Sequence, residues 1–394
     1  MPCREDCGTM PLVNTGLLSL LEKGHPQLDR LRVGLITNHT GVDRRLRSNI
    51  DLLHASNRVD LRALFGPEHG VRGEAQAGDP VGATVDARTG LPVHSLYGQT
   101  RAPTPEMLAG LDALIFDLQD IGVRYATYAS TMLAAQESAA SAGLLFAVLD
   151  RPNPLSGEHV EGPQLDPAFT SFVGAYPVPV RHGLTLGELA RLAAAERGWP
   201  APVVVRLEGW SRASWYDETS LTWVQPTPNL PTLDAVTLYP GTCLIEGTNV
   251  SEGRGTTRPF ELLGAPWIDP YDLADQLESR RLPGVLARPA WFTPTFSKHA
   301  GELCGGVQLH ITDRAALRAT EVGIHLLHIL RSLAPESFAW HSGANGPPFL
   351  DLLIGADAPR RALDAGAAPD AVVADWRAGV AAFEERRRPY LLYD

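Results

Sequence analysis

The densest group of reactive side chains lies in one glycine-rich stretch, Gly66-Pro67-Glu68-His69-Gly70-Val71-Arg72-Gly73-Glu74-Ala75-Gln76-Ala77-Gly78. It follows an apolar, strand-like run and carries two carboxylates, a histidine and an arginine. Cleavage of a glycosidic bond needs an acid for the leaving oxygen and a second group at the anomeric carbon. Glu68 or Glu74 can supply the acid, and His69 can tune or relay the proton. Read blandly, the same stretch is a solvated loop whose glycines serve turn geometry and whose Glu–Arg pairs sit on the surface.

Two further groups stand out. Asp117-Leu118-Gln119-Asp120-Ile121-Gly122-Val123-Arg124-Tyr125 places acids at a strand end and an arginine and a tyrosine at a helix start. Asp120 is a base, a stabiliser, or merely the acid that favours a helix N-terminus. Asp117 reads as a structural acceptor. The third group runs from Glu246 to Pro259 through Asn249, Glu252, Arg254, Thr256 and Arg258. Its short polar side chains suit sugar hydroxyls, and Arg254 or Arg258 suits a substrate carboxylate. The alternative is an ordered loop with internal salt bridges. His182, in Pro179-Val180-Arg181-His182-Gly183, is a cleft candidate. His25, His54, His325 and His328 lie in helical contexts and read as packing or surface residues. Trp210, Trp215, Trp223 and Trp291 are sugar-stacking candidates, although most tryptophans are core.

These groups need a frame. Apolar runs at 32–38, 59–65, 113–117, 144–150 and 203–207 read as strands, with helical stretches at 15–22, 50–55, 125–142 and 185–197. Alternating strands and helices, with strands apolar almost throughout, predict a parallel sheet covered on both faces. The expected fold class is α/β: a doubly wound, mostly parallel sheet with a second, smaller C-terminal α/β or α+β domain. In such sheets ligands bind outside the carboxyl ends of the strands. Loops holding His39, Glu68, His69, Asp117, Asp120, Asp150 and Asn153 should therefore meet on one rim. Residues 223–259, dense in Pro, Gly, Thr and Asn, read as a long irregular segment walling the same cleft. Beyond it a helix is expected at 271–279, strands at 291–296 and 306–312, and helices near 317–333 and 371–387. The predicted division is 1–259 for the catalytic domain and 260–394 for the smaller one.

Composition narrows the function. The chain has 394 residues and a net charge of −11, and of its 34 basic residues only Lys23 and Lys298 are lysine. Neither lysine follows a glycine, which excludes a Walker A loop. The acidic balance disfavours a nucleic-acid surface. Four scattered cysteines, Cys3, Cys7, Cys243 and Cys304, make no disulfide framework and no zinc site. No apolar run reaches the ~18 residues of a membrane span. The first residues lack a basic region followed by an apolar one, so the chain as given reads as cytoplasmic. An incomplete N-terminus would leave secretion open. GxSxG, HExxH and EF-hand patterns are missing, and Gly253-Arg254-Gly255 has arginine where a dinucleotide loop needs its third glycine. No metal or cofactor is expected.

The ordered set ITNHTG, LFGPEHGVRGEAQAG, DLQDIGVRYATY, DRPNPL, PVRHGLTLGELA, PTPNLPT, YPGTCLIEGTNVSEGRGTTRPFE and FSKHAGELCGGVQLHITD resembles the NamZ-type exo-β-N-acetylmuramidases from about residue 16 to the C-terminus. The resemblance implies a Rossmann-like domain, a smaller C-terminal domain and an active cleft between them. It implies release of N-acetylmuramic acid (MurNAc) from the non-reducing end of peptidoglycan fragments such as MurNAc-GlcNAc. Under it, Glu68 is the expected primary catalytic carboxylate beside His69, and Glu74, Asp120, Glu246 and Glu252 compete for the second role. Arg72, Arg124 and Arg254 are the expected partners of the lactyl carboxylate. Asn38, His39, Gln76, Tyr125, Asn153, His182, Asn229, Asn249, Thr256 and Arg258 complete the candidate substrate contacts. A non-catalytic muropeptide-binding protein is the main alternative, and a serine-type hydrolase a weaker one. The partner expected is a small saccharide, not a nucleic acid or a membrane.

Overall fold

The computed structural model describes residues 12–68, 70–73, 84–98, 100–342 and 346–394. Its first unit runs α1 (Gly16–Lys23), β1 (Arg32–Ile36), α2 (Asn49–His54), β2 (Asp60–Gly66), β3 (Thr84–Val85), β4 (Pro92–Ser95), α3 (Pro105–Leu108), β5 (Ala113–Phe116), α4 (Thr127–Ala142), β6 (Leu145–Leu149), α5 (Leu186–Arg197) and β7 (Val203–Val205). The seven strands form one sheet in the order β3-β4-β2-β1-β5-β6-β7, parallel except for the short β3. The α/β expectation holds. The central strands are apolar on both sides because both faces are covered. Leu17 and Leu20 of α1 and Ile50 and Leu53 of α2 pack with Val33 and Leu35 on one face. Met132 and Leu133 of α4 and Leu189 and Leu192 of α5 pack with Ile36, Leu114 and Phe116 on the other.

Helix ends follow local chemistry. α4 stops at Gly143, whose φ of 69° is left-handed and suits a residue without a Cβ. α5 starts with a capping box between Thr185 and Glu188. The chain builds the sheet outward from β1 to β2 and β4, then restarts on the other side at β5. The switch point thus falls between β1 and β5, where a crevice forms outside the strand ends.

The second unit holds α6 (Leu233–Thr242), a 3-10 turn at Cys243–Gly247, β8 (Leu262–Ala265), α7 (Pro270–Ser279), β9 (Val285–Phe292), β10 (Cys304–Ile311), α8 (Ala319–Leu333), α9 (Phe349–Ile354), α10 (Ala358–Asp364), α11 (Pro369–Ala374) and α12 (Arg377–Arg387). Its three strands form an antiparallel sheet, β8-β10-β9. α12 turns back onto the first unit: Phe383 lies in the core beneath α4 and α5. Among the described residues no helix is long and apolar enough to cross a membrane.

Three local expectations differ from the structure. The segment expected to be irregular contains α6, capped by Thr232, whose hydroxyl accepts from Ala235 N at 3.0 Å. Pro240 and Gly241 concealed it, and packing against α8 overrides their poor helix propensity. The strand expected at 291–296 is β9, which starts at Val285 and carries Pro289 in its interior. β9 is an edge strand, paired only with β10, and an edge tolerates a residue that cannot donate. The last helix is two, α11 and α12.

Candidate active site

The loops after β1, β2, β5 and β6 meet at one end of the sheet, and part of their polarity is spent holding them together. Asp117 accepts from Arg151 Nε at 2.6 Å and from Asn49 Nδ2 at 2.8 Å, fully buried. Asp150 accepts from Thr185 Oγ1, Gly187 N and Tyr393 Oη, at 2.7, 3.0 and 2.6 Å. Both are structural.

Beside this framework opens a pocket. Glu68 enters it from the loop after β2 and Ile121 from the loop after β5. Tyr125, Thr127 and Tyr128 come from the start of α4, and Asn229 and Leu230 from the approach to α6. Tyr239, Arg254 and Phe260 form the wall contributed by α6 and the loop before β8. Among the described residues, Glu68 is the one carboxylate lining it. Its Oε2 accepts from Thr127 Oγ1 at 2.9 Å, and the Tyr97 hydroxyl also lies within hydrogen-bonding reach. The Tyr128 hydroxyl donates to Pro226 O at 2.5 Å. Burial, with the charges of Glu68 and Asp120 nearby, pushes the Tyr128 pKa well up, so it stays a neutral donor.

Asp120 lies behind this wall. Its Oδ2 accepts from Gly122 N at 2.8 Å, and Oδ1 is buried without a hydrogen-bond partner among the described residues. Burial pushes its pKa up to about 6. The loop admits no bulk here. Gly122 has φ 72°, and a Cβ on it would lie 2.3 Å from Asn153 Oδ1. Asn153 itself is spent on Leu184 O and Leu155 N, at 2.9 and 3.0 Å.

Arg254 anchors the opposite wall. Its Nη2 donates to Glu246 Oε1 at 2.6 Å, its Nε lies 3.1 Å from Glu252 Oε1, and its guanidinium sits 5.2 Å from the Phe260 ring centre. Lys298 Nζ approaches Glu252 Oε2 at 3.0 Å. Burial raises the Glu246 pKa, against the lowering pull of Arg254 and Lys298. Among the described residues, no group of three or more His, Cys, Asp or Glu is arranged to hold a metal ion.

The remaining candidates divide by where their bonds go. Tyr125 reaches the pocket while its hydroxyl donates to Pro240 O. Asn38 is buried under the rim, its Oδ1 accepting from Thr40 N and Oγ1 at 3.0 and 2.6 Å. His39 Nε2 lies 2.7 Å from Gln225 O, tying the rim to the segment before Pro226. Arg72 pairs with Asp86 and Asp51 at 2.9 and 3.1 Å. Arg124 donates to the carbonyls of Pro163, Val178, Leu353 and Ile354, at 2.7–2.9 Å, and is a buried structural tie instead of a pocket residue. His182 is fully buried, and burial drives its pKa down to about 3; it lies in the core, away from the pocket wall. Asn249 bridges to Ser337 O and Ala339 N, Thr256 closes a turn on Gly253 O, and Arg258 pairs with Glu261. Trp210 and Trp215 are core, and Trp291 is exposed beside Tyr271. His69, Glu74 and Gln76 lie outside the described residues, as do Cys3 and Cys7.

Sequence reasoning missed Thr127, Tyr128, Tyr97, Tyr239, Phe260 and Lys298. Thr127 and Tyr128 were within reach, because a helix starting after Tyr125 brings residues three apart onto one face. Lys298 gave no local signal, since its four oxygen partners lie about fifty residues away.

Residues 33–234 match the family profile described as exo-β-N-acetylmuramidase NamZ, N-terminal, and residues 237–393 the corresponding C-terminal profile. The chain is 48% identical over 384 residues to the peptidoglycan β-N-acetylmuramidase NamZ of Bacillus subtilis, covering 97% of this chain and 92% of that protein. Two crystal structures of DUF1343 family proteins from Bacteroides fragilis share the fold. One has a TM-score of 0.90 at 38% identity and the other 0.78 at 31%, each covering 97% of this chain and 99% of its own. With both profiles matched end to end around one pocket, the chain belongs to the NamZ family of exo-β-N-acetylmuramidases.

Proposed function

We propose that this protein is an exo-acting glycoside hydrolase that releases MurNAc from the non-reducing end of peptidoglycan fragments such as MurNAc-GlcNAc. The observation that carries the reading is Glu68, a carboxylate held by Thr127 inside a pocket walled by aromatic side chains. The aromatic walls Tyr125, Tyr128, Tyr239 and Phe260 suit the apolar faces of a sugar ring, and Asn229 adds a polar contact. The kinship with a peptidoglycan β-N-acetylmuramidase supplies the sugar.

In this reading Glu68 delivers a proton to the glycosidic oxygen as the bond from that oxygen to the anomeric carbon breaks. Water then supplies a hydroxyl to the carbon, and its remaining proton restores Glu68. Asp120 lies one layer back and supports the site electrostatically through Tyr128. Glu246 and Glu252 serve Arg254, so neither is placed at the anomeric carbon.

A chromogenic β-MurNAc glycoside tests this directly. Glu68→Gln should lower kcat by roughly 10²- to 10⁴-fold, the range for loss of a general acid, with MurNAc binding retained. Wild-type turnover by the variant would overturn the assignment of Glu68. Binding without turnover by the wild-type protein would instead favour a non-catalytic muropeptide binder.

A further inference from the structure

Four arginines fall in the stretches that surround the pocket, and three are committed elsewhere. Arg72 pairs with Asp86 and Asp51, Arg124 with four carbonyls, and the half-exposed Arg258 with Glu261. Arg254 is the one basic residue lining the pocket among the described residues. A guanidinium carries five N–H donors. Glu246 and Glu252 engage Nη2 and Nε, and Nη1 has no partner among the described residues.

The group is pinned without being saturated. Lys298, from the connection between β9 and β10, donates to Ile245 O and Val250 O at 3.1 and 3.0 Å and to Glu252 Oε2 at 3.0 Å. That ties one oxygen of Glu252 while the other holds Arg254 Nε. A planar donor fork fixed in advance loses little entropy on binding and matches a carboxylate. Arg254 and Lys298 also balance Glu246 and Glu252 in charge, so an arriving anion meets no excess cation that would attract any polyanion.

MurNAc differs from N-acetylglucosamine by a lactyl ether that ends in a carboxylate. Resting on the assignment of this pocket to MurNAc, we propose that Arg254 recognises that carboxylate through Nη1 and sets the preference for muramic acid, with Lys298 as the positioning residue that acts through Glu252. A consequence follows for Glu246, which faces Arg254, Lys298, Glu252, Cys243, Tyr239 and Tyr125. A third carboxylate in this cluster favours a proton on Glu246, whose burial already favours one. MurNAc binding should therefore strengthen as pH falls through the titration of Glu246, and binding of a neutral analogue should not.

Calorimetric binding of free MurNAc and of its lactyl carboxamide tests the proposal without turnover. The wild-type protein should prefer MurNAc by roughly 10- to 100-fold, the worth of a charge-assisted hydrogen bond. Arg254→Met should bring MurNAc down to the level of the carboxamide. Arg254→Lys, which keeps the charge and loses the fork, should retain part of the preference. Lys298→Met should raise KM for a MurNAc glycoside more than it lowers kcat. Equal wild-type affinity for the two ligands overturns the proposal with no variant needed, and so does an Arg254→Met protein of native near-UV dichroism that keeps the preference. A wild-type protein that prefers MurNAc yet hydrolyses no MurNAc glycoside would sink the proposed activity and leave the recognition standing.

Discussion

At the scale of single residues, Asp120 is a carboxyl whose surroundings oppose its charge. Its folded pKa of about 6 lies above the ordinary 3.8, so the folded state takes up the proton first as pH falls. The charged form therefore costs stability above pH 6, and that cost disappears as pH falls from about 6 toward 4, amounting to about 3 kcal/mol in full. His182 acts in the opposite sense: its folded pKa of about 3 makes acid destabilising below its unfolded value. The two are separated by comparing variants. Asp120→Asn should exceed wild type in urea stability at pH 7.5, by up to about 3 kcal/mol, and the gap should shrink to about 1 kcal/mol by pH 4.5. A gap that is constant with pH would show that the carboxyl titrates normally.

At the scale of elements, the wall of the pocket depends on a helix crossing made of glycines. A Cβ on Gly241 of α6 would lie 1.8 Å from Ala319 O, and one on Gly323 of α8 would lie 2.5 Å from Gly241 O. The two backbones touch, which explains a helix running through Pro240 and Gly241 where local propensity disfavours it. Gly323→Ala should cost about 1–3 kcal/mol by overpacking and, by displacing Tyr239 on α6, raise KM. Urea unfolding and steady-state kinetics on the same sample check both, and unchanged KM with lowered stability would separate the crossing from the pocket. The parallel strands β1, β2, β5, β6 and β7 were legible because their apolar runs reflect burial on both faces, whereas the short β3, β4 and β8 gave no such run. α6 was illegible because its stability comes from the partner helix.

At the scale of the whole molecule, buried arginines join parts distant in sequence. Arg124 links the start of α4 to the end of α9. Arg387 of α12 donates to Gly157, His182 and Gly183 carbonyls at 2.9–3.0 Å. Glu161 pairs with Arg181 at 2.5 Å and accepts from Thr320 N at the start of α8. Arg124→Leu removes four hydrogen bonds to buried carbonyls, of which, among the described residues, only Val178 O keeps another donor, Leu165 N, and should cost about 3–5 kcal/mol. Arg258→Ala removes a half-exposed ion pair and should cost less than about 1 kcal/mol. Thermal melts of the two variants, run together, should differ in that order; equal shifts would refute the division between structural and surface arginines.

Periodicity and loop chemistry by themselves determined the parallel sheet and the rim on which its loops converge, and they left Glu68 and Glu74 as alternative acids on that rim. Those features follow from local patterns: apolar runs make strands, glycine-rich ends make loops, and parallel connections put the loops on one side. Which polar residue reaches the pocket and which is committed to the fold was decided by tertiary structure alone. Arg124 and Arg254 look alike in sequence, each in a polar stretch beside a tyrosine or a glycine. One meets carbonyls more than two hundred residues away, and the other is held at the pocket by Glu246 and Glu252, with Lys298 fixing the latter. A guanidinium goes where its donors are satisfied, and the partners that satisfy it are assembled only when the chain folds.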